Sequence, residues 1–371
     1  MASIYERYNL KPVINASGRM TILGVSTPPQ DVVDAVTLAM GSYFEMKDLV
    51  NKTGDYIAKL LGAEAATVVS SASAGIALSV AAVIVKNDPW MLVNLHATPV
   101  EGPREIVLPK GHNVNYGAPV GTMIALGGGK AVEAGWGNEC SAEQLSAAVG
   151  SNTAAILYIK SHHALQKSVL SVKEAVEVAR KHKLPLIVDA AAEEDLRCYY
   201  DMGADLVIYS GAKAIEGPTS GLVVGKKDFI EWVKLQGQGI GRAMKVGKEG
   251  ILGLTVAIES YLKRAKETGA EMEAKLTPFI EDVSKIDGVS ARVVWDSAGR
   301  DIARGEVSFD EKKIGRTTKE LIKDLKSGDV AIYFREYRAN EGKVEVDVRS
   351  VSDEELKTIS QNIRRVVNGD K

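Results

Sequence analysis

A lysine and an aspartate each follow a short apolar run in the middle of this 371-residue sequence. Lys213 lies in a Ser-Gly-Ala-Lys turn after the run at residues 205–209, and Asp189 lies near the end of the run at residues 184–190. Runs of this length and composition predict buried strands. Open α/β sheets place their chemistry beyond the carboxyl ends of such strands. We therefore expect the two side chains to lie close together at one edge of a sheet.

This pair of side chains meets the requirements of pyridoxal 5'-phosphate. A lysine amine forms a Schiff base with the cofactor aldehyde, and a carboxylate keeps the pyridine nitrogen protonated so that the ring can accept electrons. Each residue alone has an ordinary explanation, because lysines after strands are usually solvated and aspartates at strand ends usually cap turns. Together they predict Lys213 and Asp189 as the catalytic residues of an enzyme with this cofactor.

A third stretch suits the phosphate group of the same cofactor. Residues 66–70 predict a short strand, and small residues lead from it directly into an alanine-rich helix at residues 76–86. Small side chains let the backbone approach a ligand, and the free amides and dipole of a helix N-terminus favour an anion. We expect Ser71, Ala72 and Ser73 to bind the cofactor phosphate.

Composition and charge limit the class of protein. The chain is 45% hydrophobic and 25% charged, which is typical of globular proteins and sufficient for a large and a small domain. The formal net charge of -2 argues against a nucleic-acid-binding surface. Cys140 and Cys198 match no disulfide framework and no metal-ligand spacing. Because we also find no signal peptide and no membrane-spanning run, we expect a cytoplasmic protein.

The hydrophobic pattern predicts three parts in an α/β protein. An N-terminal arm and helix occupy residues 1–45, a large cofactor-binding domain occupies residues 46–255, and a smaller α+β domain occupies residues 256–371. The arm is expected to be extended up to a helix at residues 31–40, which Asp31 would cap. The other predicted helices span residues 48–61, 172–181, 228–235, 249–286, 317–326 and 353–367. The other predicted strands span residues 105–108, 123–126, 154–159, 222–225, 289–294, 303–309, 331–334 and 344–348.

Two polar loops of the large domain could contact a substrate. Residues 160–167 follow a predicted strand and include His162 and Gln166. The two histidines of this loop, His162 and His163, lack the i, i+4 spacing and the nearby carboxylate of a metal site, so we expect no metal there. A glycine-rich loop further along carries Arg242 and Lys245. It does not follow a strand and is therefore not a dinucleotide-binding fingerprint.

Arginines in the C-terminal part provide further candidates for anion binding. Arg335, Arg338 and Arg349 lie at or beside predicted strand ends. Most exposed arginines are only solvated, but a guanidinium that faces a cleft can hold a carboxylate or a phosphate through two hydrogen bonds.

Several sequence segments together resemble the selenocysteine synthase (seryl-tRNA selenium transferase) group of fold type I pyridoxal phosphate enzymes. They are NASG, SSASAG, IVDAAAEED, SGAKAIEGPTSGLVVGKK and GIGRAMKVGKEG, all within residues 10–265. The resemblance implies a large domain of the aspartate aminotransferase type, with a mostly parallel sheet, and a smaller C-terminal domain. It also implies that Lys213 is the Schiff-base lysine and that Asp189 faces the pyridine nitrogen. His112 would stack on the ring, and Ser210 would join residues 71–73 around the phosphate.

Two departures from the group affect the expected substrate. Selenium transferases carry an additional N-terminal tRNA-binding domain, whereas here the enzyme-like pattern begins within the first fifteen residues. The loop at residues 160–166 reads KSHHALQ, where those enzymes have a sequence of the His-Thr-Ser-Asn type. A small phosphorylated substrate is therefore expected instead of a tRNA, as in related ammonia-lyases of phosphorylated amino sugar acids. The alternatives are a racemase, a transferase or a carbon-sulfur lyase that acts on an amino acid, or a binding protein that has lost catalysis.

An ammonia-lyase of this kind would eliminate water and then release the amine. Lys213 would remove the proton from the α-carbon, and a general acid would assist the departing hydroxyl, since hydroxide is a poor leaving group. The candidates for this acid are Lys213, Tyr116, His162 and His163. Arg335 is the first choice for the substrate carboxylate, and Arg242 with Lys245 for its phosphate. The resemblance further implies a homo-oligomer, at least a dimer, in which the N-terminal arm with Arg19 could reach across the interface.

Overall fold

The computed structural model describes residues 3–97, 102–161, 163–296 and 301–369. Contacts divide the chain into two packing units. The large unit is Pro28–Lys263, and the small unit combines the residues up to Thr27 with those from Arg264 onward. Among the described residues, no helix is both long enough and apolar enough to cross a membrane.

Helices and strands alternate through the large unit and are mixed in the small one. The α-helices of the described residues are α1 Ile4–Tyr8, α2 Gln30–Met40, α3 Met46–Leu61, α4 Ala72–Val85, α5 Pro89–Asn94, α6 Val120–Leu126, α7 Ala142–Ala147, α8 Val172–His182, α9 Cys198–Met202, α10 Lys227–Leu235, α11 Lys248–Lys263, α12 Gly269–Val283, α13 Glu311–Ile314, α14 Thr318–Ser327 and α15 Asp353–Asn368. The strands are β1 Val13–Ala16, β2 Ala65–Val69, β3 Glu105–Pro109, β4 Lys130–Ala134, β5 Thr153–Ile159, β6 Leu186–Asp189, β7 Leu206–Ser210, β8 Gly221–Gly225, β9 Val289–Trp295, β10 Ala303–Phe309, β11 Ala331–Phe334 and β12 Lys343–Asp347.

A seven-stranded sheet forms the centre of the large unit, in the order β2-β8-β7-β6-β5-β3-β4. Strands β7, β6, β5, β3 and β4 are parallel, whereas β8 runs antiparallel to both of its neighbours. One apolar layer packs α3, α8 and α11 against this sheet, and a second layer packs α4, α6 and α10. Because helices cover both faces, the central strands are apolar along their whole length. The predicted α/β class is therefore confirmed.

Helix α4 is almost entirely enclosed, being buried from Ala74 to its end. It begins at Ala72, earlier than the predicted start at residue 76. A Cβ atom at Gly75 would lie 2.8 Å from Ile208 Cγ2 of β7. Glycine at this position therefore lets the first turn of α4 lie directly against the sheet.

The small unit contains two sheets. Strands β12, β10 and β9 form an antiparallel sheet in that order, and β1 pairs in parallel with β11. Helices α12, α14 and α15 supply the apolar side chains that cover these strands. Helix α15 begins at a capping box, in which the Ser352 side chain accepts from the Glu355 amide and the Glu355 side chain accepts from the Ser352 amide.

The N-terminal residues differ from the predicted extended arm. Residues 4–8 form a short helix with a capping box at Ser3 and Glu6, and residues 13–16 pair with β11. This pairing over a long sequence separation is why contacts assign the residues up to Thr27 to the small unit. Helix α2 belongs to the large unit instead, and the boundary predicted at residue 255 falls inside α11.

Three local predictions were wrong. The run at residues 123–126 is part of helix α6, because a short apolar run has the same pattern in a buried helix and in a strand. The helix predicted at residues 249–286 is interrupted, and α12 begins at a new capping box formed by Thr268 and Glu271. Asp31 does not cap α2, since Pro29 occupies the N-cap position without a side-chain hydrogen bond.

Candidate active site

The carboxyl ends of neighbouring parallel strands form the edge at which the predicted catalytic residues lie. Asp189 is the last residue of β6 and pairs with Ile159 of β5 and Ile208 of β7. Lys213 lies in the turn that follows β7, with its amide 3.4 Å from the Ser210 carbonyl oxygen. The topology therefore brings the two side chains near enough to affect each other's pKa.

Burial dominates the electrostatics of this pair. It raises the pKa of the Asp189 carboxyl to about 6, although the Ala191 amide and the Lys213 ammonium oppose the rise. The Ala191 N–H donates to Asp189 Oδ1 over 3.1 Å. Burial also lowers the pKa of Lys213, and Asp189 partly offsets that change. Both side chains are thus shifted toward their neutral forms, a condition that favours proton transfer and is common at functional sites.

The start of α4 forms a cup of backbone amides against Gly221 of β8. Ser71 is the N-cap residue, and its side chain accepts the Ala74 amide over 3.0 Å. The amides of the first turn of a helix have no intrahelical acceptor and point outward. A Cβ atom at Gly221 would lie 2.5 Å from the Ser71 carbonyl carbon and 2.8 Å from the Ala72 nitrogen. The glycine of β8 therefore allows this cup to lie directly against the sheet.

Backbone hydrogen bonds hold the turn that carries Lys213. The Gly211 amide donates to the Ser220 carbonyl over 2.9 Å, and the Gly217 amide donates to the Gly211 carbonyl over 2.8 Å. A Cβ atom at Gly211 would lie 2.1 Å from Ser220 Oγ, so this position requires glycine. The sequence SGAKAIEGPTSG is thus a compact turn between β7 and β8 with Lys213 fixed in its first half.

Tyr116 is a further residue of this site, and the sequence suggested it only as a possible acid. Its hydroxyl is buried and makes no hydrogen bond among the described residues. Burial raises the pKa of Tyr116; the nearby Ser73 side chain opposes the rise, and Asp189 adds to it. Tyr116 is therefore near both Ser73, in the first turn of α4, and the Asp189 carboxylate of β6. An aromatic residue shortly after β3 was the available signal, but the same signal also selected His112.

His112 occupies an environment that disagrees with its expected stacking on a cofactor ring. The residue is 0% exposed, and its ring meets Tyr158 edge to face with centroids 4.5 Å apart. Nε2 lies 2.9 Å from the Leu165 carbonyl oxygen, and Nδ1 accepts the Ile159 amide over 3.2 Å. Since both nitrogens and the ring are enclosed by protein, Tyr116 is the better candidate to face a ligand.

The loop after β5 carries a second lysine that the sequence analysis did not select. The Lys160 amide donates to the Asp189 carbonyl over 2.7 Å, and Lys160 Nζ donates to Gln166 Oε1 over 3.1 Å. Gln166 Nε2 in turn donates to the Ile159 carbonyl over 3.0 Å. The position of Lys160 directly after a buried strand could have identified it, as it identified Lys213. His162, predicted to contact substrate, lies outside the described residues.

The other predicted substrate contacts lie away from this group of residues in the chain. Arg242 and Lys245 are exposed, Arg242 within a 3-10 turn at Ile240–Met244 and Lys245 directly after it. Arg335 and Arg19 belong to the small unit. Arg335 Nε donates to Glu345 Oε2 over 3.2 Å, and its guanidinium lies 5.3 Å from the centre of the Tyr337 ring.

The chemistry of the large unit fits pyridoxal 5'-phosphate. The amide cup suits a phosphate, the buried Asp189 suits a pyridine nitrogen, and Lys213 suits the aldehyde. The buried Tyr116 hydroxyl without a hydrogen bond is the kind of polar atom that a ligand can satisfy. Ser210, predicted to contact the phosphate, is the last residue of β7 and pairs with Gly221 beneath the cup.

Comparisons with known proteins agree with this assignment. The family model described as "SelA: L-seryl-tRNA selenium transferase" matches residues 13–287. The D-glucosaminate-6-phosphate ammonia lyase of Salmonella typhimurium is 44% identical over 98% of both chains. The 5'-C-glycyluridine monooxygenase-decarboxylase of a Streptomyces species is 37% identical over 98% of this chain and 92% of its own. A solved structure of D-glucosaminate-6-phosphate ammonia-lyase superimposes with a TM-score of 0.94 at 43% identity, covering 100% of this chain and 99% of its own.

Proposed function

Because the chain belongs to the L-seryl-tRNA selenium transferase family and has the fold type I architecture, we propose that it is a pyridoxal-phosphate-dependent ammonia-lyase acting on D-glucosaminate 6-phosphate. The full-length sequence similarity to the Salmonella ammonia lyase carries this conclusion, together with the fold similarity to a solved D-glucosaminate-6-phosphate ammonia-lyase. The partly buried Lys213 and the buried Asp189, which lie after adjacent strands, support it, since an inactive binding protein would have no need of either.

The proposed reaction converts an amino sugar acid phosphate to a keto acid phosphate and ammonia. The proton on C2 and the hydroxyl on C3 leave as water, and the resulting enamine tautomerises. Hydrolysis of its C–N bond then uses one water and releases ammonia. The products are 2-keto-3-deoxygluconate 6-phosphate and ammonia, so that water lost in the first step is recovered in the last.

The side chains of the large unit have separate roles in this proposal. When bound, pyridoxal phosphate withdraws electrons from the carbon next to an attached amine. Lys213, with a pKa lowered by burial, takes the proton from C2. Asp189 holds the proton of the pyridine nitrogen, and the amides at residues 71–73 bind the cofactor phosphate. Tyr116, whose buried hydroxyl lies near Ser73 and Asp189, would contact the bound cofactor.

Delivery of a proton to the departing hydroxyl is assigned to Lys213. The Ser73 side chain and the Asp189 carboxylate both affect the pKa of Tyr116, so Tyr116 is associated with the residues assigned to the cofactor and not with those assigned to the substrate. Lys213 gains a proton from C2 in the first step, so it can return that proton to the adjacent leaving group without a second acid.

The substrate itself requires cationic and polar groups at both of its ends. For the carboxylate we assign Arg335 together with Arg19. For the distal phosphate we assign the exposed Arg242 and Lys245. The polar loop after β5, with Gln166 and His162, would contact the hydroxyl groups between them.

A homo-oligomer, at least a dimer, is part of the proposal. The end of α2 and the following loop expose large apolar side chains, with Leu38 65%, Met40 66% and Tyr43 101% exposed. Large exposed apolar side chains concentrated in one segment suit an interface with a second copy. Light scattering behind a sizing column tests it, because Tyr43→Glu should shift the mass toward the monomer. A cytoplasmic location is also proposed, because both Cys140 and Cys198 are free thiols.

The test of the function is an assay of ammonia and keto acid with purified protein, added pyridoxal phosphate and D-glucosaminate 6-phosphate. Equal amounts of the two products, with little turnover of unphosphorylated D-glucosaminate, are expected. The assay is repeated without oxygen, since the Streptomyces relative is named as a monooxygenase. Absence of ammonia, or a requirement for oxygen, would contradict the proposal. Arg242→Ala and Lys245→Ala should raise KM for the phosphorylated substrate and leave kcat nearly unchanged.

A further inference from the structure

His112 connects the two loops that carry side chains of the site. Its own loop follows β3 and leads to Tyr116, and its partners lie on either side of the loop that follows β5. Nδ1 accepts the amide of Ile159 over 3.2 Å, and Nε2 lies 2.9 Å from the carbonyl oxygen of Leu165. Ile159 directly precedes Lys160, and Leu165 directly precedes Gln166.

Only one form of the imidazole satisfies both contacts. An N–H group donates to Nδ1, so Nδ1 must be unprotonated, and the carbonyl at Nε2 requires a proton there. The ring is therefore the neutral Nε2–H tautomer. Burial lowers the pKa of His112 to about 4; the Leu165 carbonyl opposes this change, and Lys160 adds to it. The contact thus persists across the pH range in which such enzymes operate.

We propose that His112 is a positioning residue that holds the loop bearing Lys160 and Gln166 against the loop bearing Tyr116. This inference rests on the proposed function, because it concerns how the same site is held in its working geometry. His112 does not touch the cofactor ring. It acts through Tyr116 on one side and through the Lys160–Gln166 hydrogen bond on the other.

Further contacts support the connection between these loops. The Leu165 amide donates to the Gly111 carbonyl over 3.0 Å. A Cβ atom at Gly111 would lie 2.8 Å from Leu165 Cβ, so the two loops touch at the residue next to His112. Gln166 is then fixed by its own hydrogen bonds to Lys160 and Ile159. The contacts of Gly111 and His112 with Leu165 therefore help to position the loop after β5.

Two substitutions separate positioning from ring stacking. In His112→Gln, the amide keeps one donor and one acceptor, although it lacks the aromatic ring. In His112→Phe, an aromatic ring that can contact Tyr158 is kept, but the hydrogen bonds to the Ile159 amide and the Leu165 carbonyl are lost. A ring-stacking residue would tolerate Phe better than Gln, whereas a positioning residue would tolerate Gln better than Phe.

The experiment measures kcat, KM and cofactor affinity of the holoenzymes, together with hydrogen exchange of residues 159–166. We expect kcat of His112→Gln within about threefold of wild type and kcat of His112→Phe lower by about tenfold or more. The cofactor affinity of both variants should change by less than about threefold, since residue 112 does not contact the pyridine ring of the cofactor in this proposal. Exchange at residues 159–166 should rise in His112→Phe and stay near wild type in His112→Gln. Activity of the Phe variant equal to or above that of the Gln variant, or weak cofactor binding only in the Gln variant, would overturn the proposal.

A third variant keeps the test decisive if His112→Phe does not fold. Gly111→Ala keeps the His112 side chain but pushes directly on Leu165, whose carbonyl is the hydrogen-bond partner of His112 Nε2. Lower kcat with normal cofactor affinity and faster exchange at residues 159–166 would support the proposal, and unchanged kcat and exchange would overturn it. If the wild-type protein releases no ammonia, the proposed function fails separately, and the exchange measurement still decides whether His112 holds the loop.

Discussion

Asp189 of the large unit and Asp347 of the small unit are both buried carboxylates, but their pKa values are shifted in opposite directions. In the large unit, burial raises the pKa of Asp189 to about 6 and lowers that of Lys213. In the small unit, burial also tends to raise the pKa of Asp347, but Arg349 and Arg304 bring it down to about 2. Nearly complete burial of a carboxylate therefore has two outcomes, which depend on how many cations surround it.

The small unit surrounds each buried carboxylate with cations. Arg304 lies between Asp296 and Asp347, at 2.8 Å and 3.3 Å. Arg349 adds a 2.7 Å contact to Asp347. This arrangement lowers the pKa of Asp347 and joins residues at the ends of neighbouring strands, which is a structural role.

A second group in the small unit follows the same rule. Glu306 is 1% exposed and is surrounded by Arg292 at 2.9 Å, Arg338 at 2.6 Å and Lys343 at 3.5 Å. Burial tends to raise the pKa of Glu306, but these cations lower it overall. The comparison teaches that burial of a charged group alone does not identify a catalytic site. The better indicator is a titratable group whose pKa is shifted toward the neutral form and which lies near a cup of amides that can hold an anion.

Among the substitutions that test the difference between the two units, Asp189→Asn is expected to have the largest effect, and that effect is on kcat. Without a carboxylate at the pyridine nitrogen, kcat should fall by about a thousandfold. The free energy of unfolding should stay the same or rise slightly, since a poorly compensated buried charge is removed. Steady-state kinetics and urea unfolding measure the two quantities. A variant that retained kcat within a few fold would break the distinction between the two units.

The next effect concerns the dependence of stability on pH in the cofactor-free protein. The pKa of His112 is about 4 when folded and about 6.5 when unfolded, so the unfolded state binds the proton first. The stability that comes from neutral His112 is fully present above pH 6.5 and is lost as the pH falls to about 4, by about 3 kcal/mol in total. As the pH is lowered from 7 to 4, wild type should therefore lose about 3 kcal/mol more free energy of unfolding than His112→Gln does.

Urea unfolding at a series of pH values provides this measurement. Asp189 acts in the opposite direction, because its raised pKa adds stability as the pH falls through about 6. It is present in both proteins, so the difference between them isolates His112. A difference that does not change between pH 7 and pH 4 would contradict the assignment of a neutral, buried His112.

A smaller effect, limited to stability, is expected from Glu306→Gln. Removal of this charge leaves three cations without their shared partner and should reduce the free energy of unfolding by about 2 kcal/mol. Because Glu306 has a structural role, kcat and cofactor affinity should stay within about twofold of wild type. Asp48→Asn is the matched control, since its 2.6 Å pair with Lys52 is exposed and should contribute less than about 0.5 kcal/mol. Loss of activity in Glu306→Gln without loss of stability would contradict the comparison.

Much of the fold could be predicted because its signals are local. Buried strands appear as short apolar runs, and helices such as α15 begin at capping boxes that can be read from two residues. The pairing of β1 with β11 could not be predicted, since it joins residues that are far apart in the sequence. The run at residues 123–126 was assigned to the wrong element because its four apolar residues carry no distinguishing period.

The candidate site was predictable in part for the same reason. Asp189 and Lys213 follow strands that pair with each other, so their proximity follows from topology alone. Which of His112 and Tyr116 points toward the site depends on the path of the loop after β3, and this path is set by contacts with Ile159 and Leu165. Sequence patterns carry no information on such contacts between loops.

Reductive trapping of the cofactor on the holoenzyme tests the central claim most directly. The protein is loaded with pyridoxal phosphate, treated with borohydride and digested, and the modified lysine is identified by mass spectrometry. We predict a phosphopyridoxyl group on Lys213 and loss of both the label and the visible absorbance band in Lys213→Ala. A label on Lys160 instead, or a wild-type protein that takes up no cofactor, would contradict the account of the large unit given above.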